Sequence, residues 1–139
     1  MTSNASRATT LVRTLRAAVA RDLDELAGLL TDDVRTWTPA ISTSSRAELI
    51  EAIGQRDDTF SDVELDVVPL DVGGDHACLE WTAAMTHTGP LPLHDDRTLE
   101  PTGIRVTLHG VTVAEFEGDR ICALRQYWDD SDVLDQLGA

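Results

Sequence analysis

The sequence predicts an α+β domain in which two helices precede a sheet of antiparallel strands. Early in the chain the apolar residues follow helical spacing, whereas the later runs alternate apolar and polar residues between turn signals. The chain has 139 residues, 42% of them hydrophobic, which is enough for one domain with a buried core. We therefore expect a flexible polar lead over residues 1–10 and a single domain over residues 11–139.

Two helices are expected near the start of the chain. Residues 11–30 place an apolar side chain every three or four positions, which is the stripe of one long helix. A short strand over residues 34–37 follows it. Ser44 or Ser45 then caps a second helix over residues 46–54.

Four strands are expected in the rest of the chain. The first alternates Val63, Leu65 and Val67 with acidic residues, which is typical of a half-buried strand. Gly118 lies in a hairpin-type turn between the last two strands. An acidic tail ends the chain. The three later strands are expected over residues 76–88, 104–117 and 120–128.

Charge and composition exclude several function classes. The formal net charge is −14, from 11 basic and 25 acidic residues, and a phosphate backbone would be repelled. All the basic residues are arginine, so no lysine can form a Schiff base or bind phosphate in a P-loop. We expect neither nucleic acid nor a membrane as partner, because no apolar stretch nears the roughly 20 residues of a membrane span. The two cysteines are too few for a disulfide framework, which favours the cytoplasm.

One strand has the composition of a cavity wall. Side chains two positions apart share a face of a strand, so the run over residues 76–88 aligns Trp81, Met85 and His87. An apolar face with one imidazole at its end is typical of a ligand-binding cavity. The same residues also fit an ordinary core with a satisfied histidine beside a loop, and both interpretations stay open at this point.

The last strand brings a carboxylate close to such a wall. Gln126 and Trp128 share one face, and Asp129 follows at the strand end. A carboxylate in an apolar pocket has its pKa raised by desolvation and can then act as a base near neutral pH. Alternatively, Asp129 belongs to an acidic cluster with Asp130 and Asp132, in which Asp130 or Asp132 caps a terminal helical turn.

Other aromatic and imidazole groups each have more than one interpretation. Trp37 and Trp128 offer aromatic surfaces that can stack on a substrate, fill the core or lie in a dimer interface. His109 is either a second pocket imidazole or a surface histidine. The histidines lack metal-ligand spacing, and we read His94 as part of an exposed loop, so no metal is expected.

Several short motifs occur in the order found in a known family. They are Thr-His-Thr-Gly-Pro at 86–90, Pro-Thr-Gly at 101–103, Glu-Gly-Asp-Arg-Ile at 117–121, Asp129, and Gln-Leu-Gly at 136–138. On these motifs the chain resembles the SnoaL-like polyketide cyclases of the nuclear transport factor 2-like superfamily.

The resemblance implies a cone-shaped α+β barrel in which a strongly curved antiparallel sheet wraps the N-terminal helices around one deep pocket. It also implies cofactor-independent acid/base chemistry on a small apolar carbonyl compound, as a cyclase or isomerase, in a homodimer. Asp129 would move the proton, while His87 and Gln126 would bind the substrate oxygen. The substrate-binding residues would be Trp37, Trp81, Met85, His109 and Trp128.

Two reactions of related families lack their residues in this sequence. The Asp-Arg-Asp set of the related epoxide hydrolases is replaced by Trp81, Ala83 and Gln126, and the base of the ketosteroid isomerases is replaced by Thr38. The absence of these residues therefore favours a cyclase over the other two reactions, by elimination. The alternatives are a non-catalytic small-molecule binding protein, and a hydrolase or dehydratase that uses His87 as its base.

Overall fold

The computed structural model describes residues 4–93 and 95–139 and has the predicted α+β architecture. Within these residues, helices lie mainly before the long strands and a short helix closes the chain. The elements are α1 Asn4–Ala20, α2 Leu23–Leu29, β1 Leu30–Trp37, β2 Ser42–Thr43, α3 Arg46–Gly54, β3 Phe60–Gly73, β4 His76–His87, β5 Leu91–Pro92, β6 Thr98–Leu99, β7 Arg105–Glu117, β8 Arg120–Trp128 and α4 Asp130–Gln136.

The main sheet has the strand order β2-β1-β8-β7-β4-β3, and β5 pairs with β6 as a separate small hairpin. Neighbouring strands are antiparallel except β1 and β8, which run parallel. The predicted sheet was wholly antiparallel. The parallel pair arises because β8 comes beside β1 only after α3 and the β3–β4–β7 meander, which is a crossover connection. The sheet is curved and open, with β2 and β3 at its edges.

The single long helix predicted near the start is two helices. The chain turns at Arg21, whose φ is 57°, and Asp22 then caps α2 by accepting a hydrogen bond from the Glu25 amide at 3.2 Å. The apolar stripe continues across this break, which is why periodicity alone did not show it. Helix α1 already includes residues 4–10 of the predicted lead, and residues 1–3 lie outside the described part of the chain.

The later elements follow the sequence prediction more closely. Ser45, one of the two predicted caps, accepts a hydrogen bond from the Glu48 amide at the start of α3. Strand β8 has the predicted bounds, and Gly118 forms the turn before it with a φ of 64°. These signals are local, since caps and turns are set by residues within about three positions of one another.

The core lies between α1, α2 and one face of the sheet, which we call the inner face. Strand β4 shows this division most regularly: its inward residues are buried and those between them are more exposed. The predicted shared face of β4 is confirmed. Its buried members are Leu79, Trp81, Ala83, Met85 and His87. None of the described helices is long and apolar enough to cross a membrane.

Candidate functional site

An apolar cavity of about 470 Å³ opens between α1 and the inner face of the sheet. Pockets that bind small molecules usually measure roughly 300–1,000 Å³ and are mainly apolar, so this cavity has a suitable size and lining. Twelve of the lining residues are apolar: Leu15, Ala18, Val19, Phe60, Val63, Leu65, Trp81, Ala83, Met85, Leu91, Leu108 and Trp128. The polar ones are Arg56, Asp57, Thr59 and Gln126.

Two tryptophans form the aromatic part of the cavity wall. The rings of Trp81 and Trp128 meet edge to face, with centroids 6.2 Å apart. The Trp81 indole Nε1 donates to the Thr112 hydroxyl at 2.9 Å, and the Trp128 indole donates to Asp130 at 2.6 Å. Gly110 lies opposite Trp81 on β7, and a Cβ there would overlap the indole ring. A residue without a side chain at this position therefore allows Trp81 to lie flat against β7.

The amide of Gln126 is oriented by a short hydrogen-bond chain. Thr112 is fully buried, and its hydroxyl oxygen already accepts the Trp81 proton, so its own proton needs an acceptor. That acceptor is the Gln126 amide oxygen, at 3.4 Å. The Nε2 group makes no hydrogen bond to any residue in the described part of the chain. Gln126 can therefore donate to an oxygen of a ligand in the cavity.

The charged rim of the cavity comes from the loop that follows α3. Arg21 at the helix break holds this loop by donating to the Arg56 carbonyl at 2.5 Å, and its guanidinium pairs with Asp58 at 2.9 Å. The Arg56 guanidinium donates in turn to the Val19 carbonyl at the end of α1, at 3.2 Å. Partial burial, and then the neighbouring charge of Arg21, lower the pKa of Arg56. These contacts set Arg56 and Asp57 along the opening.

Sequence reasoning missed these two rim residues, which lie in a polar Arg-Asp-Asp run at 56–58 between α3 and β3. No periodic pattern marks them, since their place depends on Arg21 folding the loop onto α1. Of the described residues that line the cavity, Asp57 carries the only carboxylate. The cavity thus offers an amide donor at Gln126 and a carboxylate that can accept a proton at Asp57.

Asp129 does not fulfil the prediction of a base in an apolar pocket. Its side chain is exposed and caps α4, accepting hydrogen bonds from the Ser131 amide at 3.0 Å and the Ser131 hydroxyl at 2.6 Å. These bonds lower the pKa of Asp129 instead of raising it. The reason is the alternation of side chains in extended backbone: Trp128, the last residue of β8, lines the cavity, so Asp129 directly after the strand points away from it.

His87 is fully buried but is not among the residues that line the cavity. Its Nδ1 atom accepts from the Thr102 backbone amide at 3.2 Å and lies 3.0 Å from the Thr102 hydroxyl. The proton of the neutral ring therefore lies on Nε2, which is buried without a partner among the described residues. The ring contacts Phe60, which does line the cavity, at a centroid distance of 5.7 Å. The expected meeting of His87 and Asp129 in one cavity does not occur.

Trp37 and His109 lie on the outer face of the sheet, away from the cavity that they were predicted to line. Trp37 is exposed and stacks against Tyr127 at a centroid distance of 5.2 Å. His109 is exposed, with Nδ1 3.2 Å from the Thr82 hydroxyl. Leu108 lines the cavity, so its neighbour His109 faces outward. The alternation of side chains puts the two residues on opposite faces of β7, but only the three-dimensional structure shows which of them points inward.

The side chains that bind metals in proteins are dispersed. Within residues 4–93 and 95–139, no three His, Cys, Asp or Glu side chains are placed to hold a metal ion together. His94, which the sequence placed in an exposed loop, lies outside these residues.

Comparisons with known proteins agree with the architecture. Residues 11–124 match the family model of the SnoaL-like domain. TsrD from Streptomyces laurentii superposes with a TM-score of 0.80 at 23% identity, over 100% of this chain and 99% of that chain. IdmH from Streptomyces antibioticus, described as a candidate polyketide cyclase, gives 0.79 at 19%, over 96% and 99%. AclR from Streptomyces galilaeus, described as a candidate hydroxylase, gives 0.77 at 23%, over 98% and 83%. Among curated proteins, none matches this chain.

Proposed function

The chain belongs to the SnoaL-like domain family, and from its cavity we propose a cytoplasmic, cofactor-independent acid/base enzyme that acts on a small apolar carbonyl compound. The reaction would be a cyclisation or an isomerisation. The observation that carries the proposal is that Gln126 and Asp57 line the same apolar cavity, one with a free amide donor and the other with a carboxylate. Fold alone cannot choose the reaction, because related folds serve many functions.

The proposed chemistry begins at the substrate carbonyl. Its oxygen accepts a hydrogen bond from Gln126 Nε2, and Asp57 removes a proton from the adjacent carbon. The resulting enolate is stabilised by the amide donor, whose effect is stronger in an apolar site than in water. The enolate then attacks a second carbonyl and closes a ring, and the proton held by Asp57 passes to the new alkoxide. In an isomerisation the enolate instead takes that proton back at another carbon. Trp81 and Trp128 would stack on a planar substrate.

A binding protein without catalysis is the second candidate. It is favoured by the exposure of both Asp57 and Asp129, since a carboxylate in contact with water is an ordinary weak base. A hydrolase or dehydratase that uses His87 as its base has less support. The Nδ1 lone pair of His87 already accepts a hydrogen bond from the Thr102 amide and has none left for a substrate proton.

Exchange of α-protons separates the enzyme from the binding protein. We expect the protein to catalyse deuterium incorporation into 2-tetralone in D₂O, followed by proton NMR. Gln126→Leu should slow this exchange about tenfold, the equivalent of one hydrogen bond of roughly 1.4 kcal/mol. Gln55→Leu, an exposed change at the end of α3, is the control and should keep the rate. Binding of 2-tetralone without exchange above the buffer rate would favour the binding protein instead.

We also propose a homodimer that forms through the outer face of the sheet. Trp37 and Tyr127 are 44% and 46% exposed there, and the Arg125–Glu115 ion pair lies on the neighbouring strands. Static light scattering at low micromolar concentration should give twice the chain mass of 15.1 kDa. Tyr127→Ser should shift the mass towards the monomer. A parent protein that scatters as a 15.1 kDa species would rule out the dimer.

A further inference from the structure

Arg56 places a positive charge at the rim of a cavity whose walls are mainly apolar. Within the described part of the chain, the Arg56 guanidinium has one hydrogen-bond acceptor, the Val19 carbonyl, which occupies a single Nη2 donor, and the charge of Asp58 acts on it without an ion pair. Arginine has five N–H donors in a planar fork, so most of those of Arg56 stay available. By contrast, several other arginines already pair with a carboxylate. These are Arg13, Arg21, Arg46, Arg97, Arg105 and Arg125.

The surroundings of Arg56 favour an anionic group from a ligand over one from the protein. Asp58 is engaged by Arg21, and Asp57 forms no ion pair with Arg56 within the described residues although it is the next residue. The Arg56 side chain is exposed to solvent at the cavity opening, so a ligand can reach its open donors. A guanidinium with open donors binds a carboxylate through two parallel hydrogen bonds.

We infer that the substrate carries a carboxylate that Arg56 binds at the rim, in addition to the carbonyl that Gln126 binds. This inference rests on the proposed function, because it takes the same cavity as the substrate site. Arg56 comes from the loop after α3 and Gln126 from the inner face of β8, so the two groups bind different parts of one ligand. The substrate class is thus an apolar, ring-containing keto acid.

The test compares an anionic probe with its neutral counterpart. We expect 6-acetyl-2-naphthoic acid to bind at least about tenfold more tightly than its methyl ester in isothermal titration calorimetry at pH 7. The formal net charge of −14 repels anions in general, so such a preference needs a local cation. Arg56→Gln should reduce the acid-to-ester ratio to about one and leave ester affinity within about threefold. Arg56→Lys should keep part of the preference, because the charge remains and the planar fork is lost.

Arg16→Gln is the matched control. Arg16 also donates to a backbone carbonyl, that of Leu65 at 3.3 Å, and its loss changes the net charge equally, but it does not line the cavity. This variant should keep the preference for the acid. A thermal melt of each variant checks that it is folded.

The other outcomes overturn the inference in distinguishable ways. If the parent binds the ester as tightly as the acid, there is no carboxylate site, although the cavity and the proposed function stand. If Arg56→Gln loses the ester as well, Arg56 acts by holding the rim against Val19 and not by binding an anion. If neither probe binds the parent, the proposed function fails together with the inference.

Discussion

Asp57→Asn is expected to slow α-proton exchange of 2-tetralone by about 100-fold, the low end of what a general base usually contributes. Asparagine keeps the size and most of the polarity of aspartate but cannot accept a proton from carbon. Affinity for the ketone should stay within about threefold, because Gln126 and the tryptophans provide the binding contacts. The measurement is deuterium incorporation by NMR at saturating ketone, with affinity from calorimetry on the same samples.

Two other carboxylates are the controls for this change. Asp24→Asn removes an exposed carboxylate on α2, and that residue does not line the cavity. Asp129→Asn changes the residue that the sequence favoured, while asparagine still caps a helix well. Both should keep the exchange rate within about threefold. If only Asp129→Asn slows the exchange, the catalytic role returns to Asp129. If Asp57→Asn exchanges at the rate of the parent protein, Asp57 is removed from the mechanism.

Local chemistry explains which parts of the fold the sequence predicted. The alternation along β4 identified its buried face, and the cap at Ser45 fixed the start of α3, because both signals come from residues close in sequence. The break at Arg21 was missed since the apolar stripe runs through it. Its left-handed conformation is compensated by contacts with Arg56 and Asp58, residues far along the chain.

The site was harder to predict than the fold, because parity assigns residues to two faces without saying which face is inside. Trp81 and Trp128 line the cavity, but the third tryptophan, Trp37, lies on the outer surface. The expected position of Asp129 inside an apolar pocket was wrong for a related reason. A capping aspartate after a strand has the same sequence pattern as a catalytic one.

The motifs that identified the family report on structure more than on chemistry. His87 of the first motif accepts a hydrogen bond from the Thr102 amide in the Pro-Thr-Gly motif, and its carbonyl accepts one from Gly103 at 2.9 Å. The two motifs therefore join β4 to the loop before β7. Such a junction serves any reaction on this scaffold, which explains how the motifs can predict the fold and leave the substrate open.

Gly110→Ala is expected to lower the free energy of unfolding by roughly 1–3 kcal/mol, the usual cost of overpacking a core. The added Cβ would overlap the Trp81 indole, so the ring must move towards the cavity. This movement would break the Trp81–Thr112 bond and leave Thr112 without the partner that turns it towards Gln126. Ketone binding should therefore weaken together with stability. Urea denaturation and calorimetry measure the two effects.

The design of this experiment separates a specific clash from a general effect of alanine. Gly28→Ala is the control: an added Cβ meets nothing there, and alanine within α2 should stabilise the protein by up to about 1 kcal/mol. Trp81→Phe removes the ring atoms that the new Cβ would meet, so Gly110→Ala should cost much less in that background. An equal cost in both backgrounds would mean that Gly110 matters for the conformation of β7. The inference that Gly110 acts on Gln126 through Trp81 and Thr112 would then be wrong.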